Sequence, residues 1–152
     1  MPTADTMVFS RKTKAIEMDG PVLIFGGAYS NIQALDAVLA AAQARGIPAS
    51  HVVSTGDLVA YGADAGACVE RARAAGIRAI KGNCEANLGA GRGDCGCGFA
   101  PGSSCDALSA AWYAHAQNQL TPAQREWLAA LPERFDIALN GLRLTVLHGA
   151  PS

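Results

Sequence analysis

His51-Val52-Val53-Ser54-Thr55-Gly56-Asp57-Leu58-Val59-Ala60-Tyr61-Gly62 passes from a β-branched apolar run straight into a glycine-aspartate turn. A short run of this kind, bounded by turn residues, reads as a strand. The pattern recurs twice: residues 78–80 lead into Gly82-Asn83-Cys84-Glu85, and residues 142–147 lead into His148-Gly149. If these runs are neighbouring strands of a mostly parallel sheet, their carboxyl ends place Asp57, Asn83 and His148 along one edge, where open α/β sheets bind ligands. A carboxylate, an amide oxygen and an imidazole together suit a divalent metal and the phosphate chemistry such metals support.

Working outward, residues 22–25 form a short β-rich run ending in Gly26-Gly27. Asn31 then opens a segment whose Ile32, Leu35, Val38 and Leu39 share one helical face. Gly46-Ile47-Pro48 stops that helix and residues 51–54 supply the next strand. Asp64 is placed to cap a helix through Ala75, closed by Gly76, and residues 78–81 are a third strand. Strand-helix alternation over the first eighty residues implies parallel pairing. Residues 89–104 are rich in Gly and Cys without periodicity, so they read as a loop held by something other than apolar burial. Residues 106–119 read as a helix, and Thr121-Pro122-Ala123-Gln124 is a capping box opening another through Leu131. Asn140-Gly141 between two apolar runs predicts a two-residue type I′ hairpin whose second strand delivers His148.

Half of the 152 residues are apolar, enough for one domain with a real core. Twelve Lys and Arg against thirteen Asp and Glu, scattered along the chain, give no broad basic face, so a nucleic-acid duplex is not an expected partner. Residues 1–20 are mixed in charge and read as a flexible tail preceding a domain over residues 21–152, with no secretory signal. No segment approaches the roughly 20 apolar residues needed to cross a bilayer. A cytoplasmic protein without a membrane partner is the expectation, and the oligomeric state is not readable.

The four blocks resemble, in order and spacing, those of the calcineurin-like metallophosphoesterases, in particular the small bacterial phosphodiesterase branch, from about Val22 to the last residue. Ser30-Asn31 before a helix is similar to the end of the first block, residues 56–62 to the Gly-Asp block, Gly82-Asn83 to the third and His148-Gly149 to the fourth. The resemblance implies an α/β sandwich of mostly parallel strands flanked by helices. It implies two metals joined by a shared aspartate and a water activated to attack phosphorus, with Asp57 as the bridge and Asn83 and His148 as ligands. The implied cofactor is a divalent metal, Mn, Fe or Zn, and the implied substrate is a phosphate-ester small molecule or nucleotide, monoester or diester.

Several positions depart from the family pattern. Where the first block carries an aspartate and a histidine, this chain has Gly27 and Tyr29. Where a histidine follows the asparagine, it has Cys84, which the resemblance places facing the phosphate, and then Glu85. The family's last block, a glycine-histidine pair with another histidine shortly after, does not occur before Ser152, so a C-terminally truncated N-terminal portion is expected.

Of the five cysteines, Cys84, Cys95, Cys97 and Cys105 fall in the loop-rich stretch next to the active edge. Thiolates favour zinc, copper(I) or iron-sulfur centres, so these four are candidate ligands, although paired Cys-x-x-Cys spacing is missing and a disulfide or redox role stays open. Cys68 reads as a buried inert thiol, His51 and His115 as structural, Trp112, Tyr113 and Trp127 as core or interface aromatics, and Asp94 and Glu85 as groups supporting the ligands. Gly26-Gly27 lacks the third glycine of a dinucleotide fingerprint. The leading function is metal-dependent phosphoester hydrolysis. The rival is a non-hydrolytic relative that binds metal through a residual site or the cysteines for sensing, redox work or partner binding.

Overall fold

The computed structural model describes residues 13–149. Along the chain come β1 (Thr13–Met18), β2 (Leu23–Phe25), α1 (Ile32–Ala44), β3 (Val52–Ser54), α2 (Ala65–Ala75), β4 (Arg78–Ala79), α3 (Asn83–Gly89), α4 (Ser104–Gln119), α5 (Pro122–Ala130), β5 (Arg134–Leu139) and β6 (Leu142–Leu147). They build two three-stranded sheets. In one, β2, β3 and β4 run parallel with β3 central. In the other, β5 is central, parallel to β1 and antiparallel to β6.

The expected strand-helix units are present from β2 to β4, and their punctuation acts through local chemistry. The Asn31 side chain caps α1 by accepting from the Ala34 amide at 2.9 Å. Gly76, at φ +74°, ends α2 in the left-handed conformation that costs glycine least. Thr121 and Gln124 bond reciprocally at the start of α5, at 3.2 and 3.0 Å. Asn140 and Gly141, both at positive φ, close the β5–β6 hairpin with Leu139 opposite Leu142. Asp64 sits at the N-cap of α2 but makes no side-chain cap there; its carboxylate accepts instead from the Ile32 amide at 3.4 Å, joining α2 to α1.

Two expectations are corrected. Residues 13–18, assigned to a flexible tail, form β1: Ile16 and Met18 alternate with exposed Ala15 and Glu17, and the buried pair is what a half-covered strand requires. The tail expectation for residues 1–12 lies outside the described residues, as do residues 150–152. Next, β6 does not share a sheet with β3 and β4, so His148 reaches the edge from the second sheet. Residues 83–89, which carry no element in the sequence reading, form a helix, where Asn, Glu and Gly dilute the apolar period to Cys84 and Leu88.

Ile16, Met18, Val53, Ile80, Phe135, Ile137 and Val146 pack between the sheets and make the structure a sandwich. Leu35, Val52, Leu58 and Cys68 lie among the residues burying α1 and α2 against the parallel sheet. A third cluster, including Leu88, Trp112, Tyr113 and Leu128, holds α3, α4 and α5 together. No helix among the described residues is long and apolar enough to cross a membrane.

Ile137 is 1% exposed at the seam and Leu142 is 64% exposed. Ile137→Ala should therefore lower the unfolding free energy by about 2–5 kcal/mol in urea titration, whereas Leu142→Ala should change it by less than about 0.5 kcal/mol. Cys68 gives a pH signature. Burial, with Asp64 and Asp36 nearby, pushes its thiol pKa up to about 12 from 9.0. The folded state holds that proton more tightly than the unfolded chain, so the associated stability is complete below pH 9.0 and is lost as pH rises toward about 12. Iodoacetamide at pH 8 should label exposed Cys105 in the native protein and leave Cys68 unmodified until denaturant is added; equal labelling would contradict this packing.

Candidate functional site

The candidate site lies where the ends of β3, β4 and β6 meet. Gly56 follows β3 at φ +99°, and a Cβ there would stand 2.6 Å from His148 Nδ1 and 2.8 Å from the Gly82 nitrogen. Only a residue without a side chain lets the three blocks close on one another at this point. Asp57 comes next, itself at φ +54°, a conformation that costs a non-glycine residue of order 1–2 kcal/mol. Its carboxylate packs directly over the Gly82 backbone.

Glu85 offsets that cost. Its side chain is fully buried, and its two oxygens accept from the backbone amides of Gly82 at 2.8 Å, Asp57 at 2.9 Å and Val59 at 3.0 Å. One carboxyl thus fastens the turn after β3 to the start of α3. Burial pushes the Glu85 pKa above the ordinary carboxylate range, with the Asp57 charge adding to this, while the three N–H donors oppose it.

The structure brings three of the expected ligands together. His148 Nδ1 lies 2.8 Å from the Thr55 carbonyl oxygen, an acceptor, so this nitrogen carries the proton and donates it. The bare Nε2 of that tautomer then faces Asn83 Oδ1 at 3.2 Å and Asp57 Oδ2 at 3.6 Å. The Asn83 amide is turned this way because its nitrogen donates to the Cys95 carbonyl at 3.2 Å. Asp57 Oδ1 is buried with no N–H or O–H partner, and the other polar group against this carboxylate from α3 is the Cys84 thiol. In that tautomer the imidazole nitrogen, amide oxygen and carboxylate are all acceptors, and such a set attracts a proton donor or a cation placed between them. The donor set fits one divalent cation on chemical grounds. Among the described residues no three His, Cys, Asp or Glu side chains form a metal-holding group, so the third arm is the asparagine amide.

The other expected residues are placed differently. A side chain at Gly27 would run into the Asp57 carbonyl oxygen and the Tyr29 ring. The Tyr29 ring stands 5.5 Å from that of Tyr61, 46% exposed. The first-block position is therefore filled by packing and holds no ligand pair. Asn31 is spent on capping α1. Cys84, expected to face the phosphate, is 1% exposed in the helical core. Burial and the charges of Asp57 and Glu85 push its thiol pKa far above the usual range, so it is a neutral buried thiol.

The four thiols are not gathered around one point. Cys95 and Cys97 are joined in a disulfide, Cys105 is exposed and Cys84 is buried. Asp94 accepts from the Gly96 amide at 2.8 Å and shapes that loop, which Tyr113 Oη and Gln117 Nε2 tie to α4 through the Arg92 carbonyl. His51 and His115 bond to the carbonyls of Pro21 and Ala63. Sequence reasoning gave no role to Thr55, which acts through its backbone, and gave Glu85 only a general one. The clue to Glu85 was its place three residues after Gly82, the spacing at which an acid reaches back to a helix start.

No family model and no curated protein matches the sequence. Among solved structures, a metallophosphoesterase from Sphaerobacter thermophilus is 27% identical with a TM-score of 0.52, over 74% of this chain and 42% of that one. A structure described as a "putative diadenosine tetraphosphatase" is 19% identical with a TM-score of 0.53, over 81% of this chain and 49% of that one. This chain thus spans less than half the length of either structure. The resemblance to calcineurin-like metallophosphoesterases read from the sequence holds in three dimensions, and the fold is of that kind.

Glu85→Ala would strand three buried N–H groups, each costing about 1–3 kcal/mol. It should lower the unfolding free energy by at least about 3 kcal/mol, with Glu85→Gln, which keeps one acceptor oxygen, falling between it and wild type. Denaturant titration of the three proteins checks this ranking.

Proposed function

We propose that this chain supplies the metal-holding part of a metal-dependent phosphoesterase acting on a phosphate monoester or diester. The observation that carries the reading is the convergence of three acceptors, with the His148 tautomer fixed by the Thr55 carbonyl and one buried Asp57 oxygen without an N–H or O–H partner. In this reading Asp57, Asn83 and His148 hold a divalent cation, and the mixed oxygen and nitrogen set suits Mn, Fe or Zn. Such a cation, when bound, polarises a phosphoryl oxygen and makes water a better nucleophile at neutral pH.

The chain's own residues supply the rest. Glu85 holds the Asp57 turn and the Asn83 helix start at fixed separation. Thr55 keeps the proton of His148 on the nitrogen that faces away from the cation position. The Cys95 carbonyl keeps the Asn83 amide oxygen facing inward. Cys84 is given no chemical role, because it is buried and neutral. The general likeness to metallophosphoesterases supports divalent metal use and phosphoester hydrolysis. The closed first block favours a single cation from this chain's residues.

Mn²⁺ titration by calorimetry and hydrolysis of bis(p-nitrophenyl) phosphate with Mn²⁺, Fe²⁺ or Zn²⁺ test the reading. Asp57→Ala removes a ligand itself, so its loss of Mn²⁺ affinity should exceed the roughly 10–100-fold typical of groups behind the ligands, with turnover falling in parallel. Equal Mn²⁺ affinity in wild type and Asp57→Ala would sink it.

A further inference from the structure

Tyr29 and Tyr61 are 46% and 52% exposed, although each belongs to a row of rings that otherwise sinks into the core. Tyr61 meets Trp112 edge-on, with centroids 5.3 Å apart at 69°, and Trp112 meets Tyr113 at 5.6 Å and 83°. Trp112 and Tyr113 are 8% and 2% exposed, so the Tyr61 ring is braced from behind by a packed pair while half of it stays open. Tyr29 leans on Tyr61 at 5.5 Å with planes inclined by 38°.

Both tyrosines stand on unfavourable backbone, at φ +54° for Tyr29 and +41° for Tyr61. A bulky residue rarely adopts positive φ, and such outliers persist where surrounding structure over-determines them, commonly beside functional sites. Here the Tyr29 amide donates to the Asp57 carbonyl at 3.2 Å and the Gly62 amide donates to the Tyr29 carbonyl at 3.1 Å. These bonds fix the backbone that carries Tyr29 and Tyr61 to the Asp57 turn, and the ring contacts with Trp112 then set the Tyr61 side chain. Burial, with the Asp57 charge adding to it, raises the Tyr61 pKa, so its ring is a neutral phenol beside the site.

We propose that Tyr29 and Tyr61 form a stacking wall for the nucleobase of a nucleotide whose phosphate lies over Asp57, Asn83 and His148, an inference that rests on the hydrolytic reading above. A π-face is what such rings recognise: a base stacks on them whatever its hydrogen-bonding edge, and a bare sugar phosphate gains nothing from them. The wall thereby selects nucleotide esters over aliphatic ones. Tyr61 is the anchor because Trp112 holds it, and Tyr29 extends the surface toward Gly27.

The test uses the full chain, with ¹³C-labelled tyrosine rings followed by NMR in the presence of Zn²⁺. Adenosine monophosphate, adenosine and ribose 5-phosphate are the probes. The nucleotide should shift the rings of Tyr29 and Tyr61 and leave buried Tyr113 in place, and ribose 5-phosphate should shift neither. Tyr61→Ala should weaken nucleotide binding about 5- to 150-fold and collapse its preference over ribose 5-phosphate, while Tyr61→Phe, which keeps the ring, should retain that preference. Equal affinity of wild type for the two phosphates, or unshifted rings with both nucleotide and nucleoside, would overturn the stacking wall. Ring shifts that persist with unchanged nucleotide affinity in Asp57→Ala would uphold the wall and remove the hydrolytic reading instead.

Discussion

One buried carboxyl group organises the edge where β3, β4 and β6 end. Glu85 has no solvent, yet its two oxygens receive three backbone amides, from Asp57, Val59 and Gly82. A buried polar group is tolerated only when its partners are present, and those amides have the same requirement in return. The turn after β3 and the first turn of α3 therefore cannot separate without exposing unsatisfied groups on both. The positive φ of Asp57 is sustained by this mutual constraint, and with it the direction of the Asp57 carboxylate.

His148 arrives by a different route. It is carried by β6, whose register against β5 is set by the Asn140-Gly141 turn, and the sheet containing β6 is held to the parallel sheet by the seam through Val53, Ile80, Ile137 and Val146. Apolar packing brings the histidine near, and a single hydrogen bond to the Thr55 carbonyl decides which ring nitrogen looks inward. Long-range burial thus sets position, while a short polar contact sets chemistry. The same division appears at Asn83, placed by the start of α3 and oriented by the Cys95 carbonyl.

The departures from the family pattern have physical counterparts. Gly27 is closed in by the Asp57 carbonyl and the Tyr29 ring, so the half of the edge that would hold an aspartate and a histidine has become aromatic surface. Cys84 occupies the position after Asn83 but faces the core among Leu88, Trp112 and Leu128. The second residue of a short helix whose buried face also includes Glu85 and Leu88 points inward, and spacing along the chain does not reveal that. Cys95 and Cys97 follow the loop, where Asp94 and the Arg92 carbonyl direct the backbone, and Cys105 lies on α4.

The amino-acid sequence by itself determined the strand-helix order from residue 22 to 81, the caps at Asn31 and Thr121, the hairpin at Asn140-Gly141 and the candidacy of Asp57, Asn83 and His148. These rest on local rules, in which periodicity, capping and turn chemistry act over a few residues. Tertiary structure alone decided that residues 13–18 are a strand, because their two buried side chains have meaning only against β5. It alone decided that β6 lies in the second sheet, that Glu85 binds two blocks together, and that Cys84 and Cys105 stay apart from the bonded Cys95 and Cys97. Such outcomes depend on which distant groups share a desolvated volume, and partners 28 or 65 residues away leave no periodic trace in the chain.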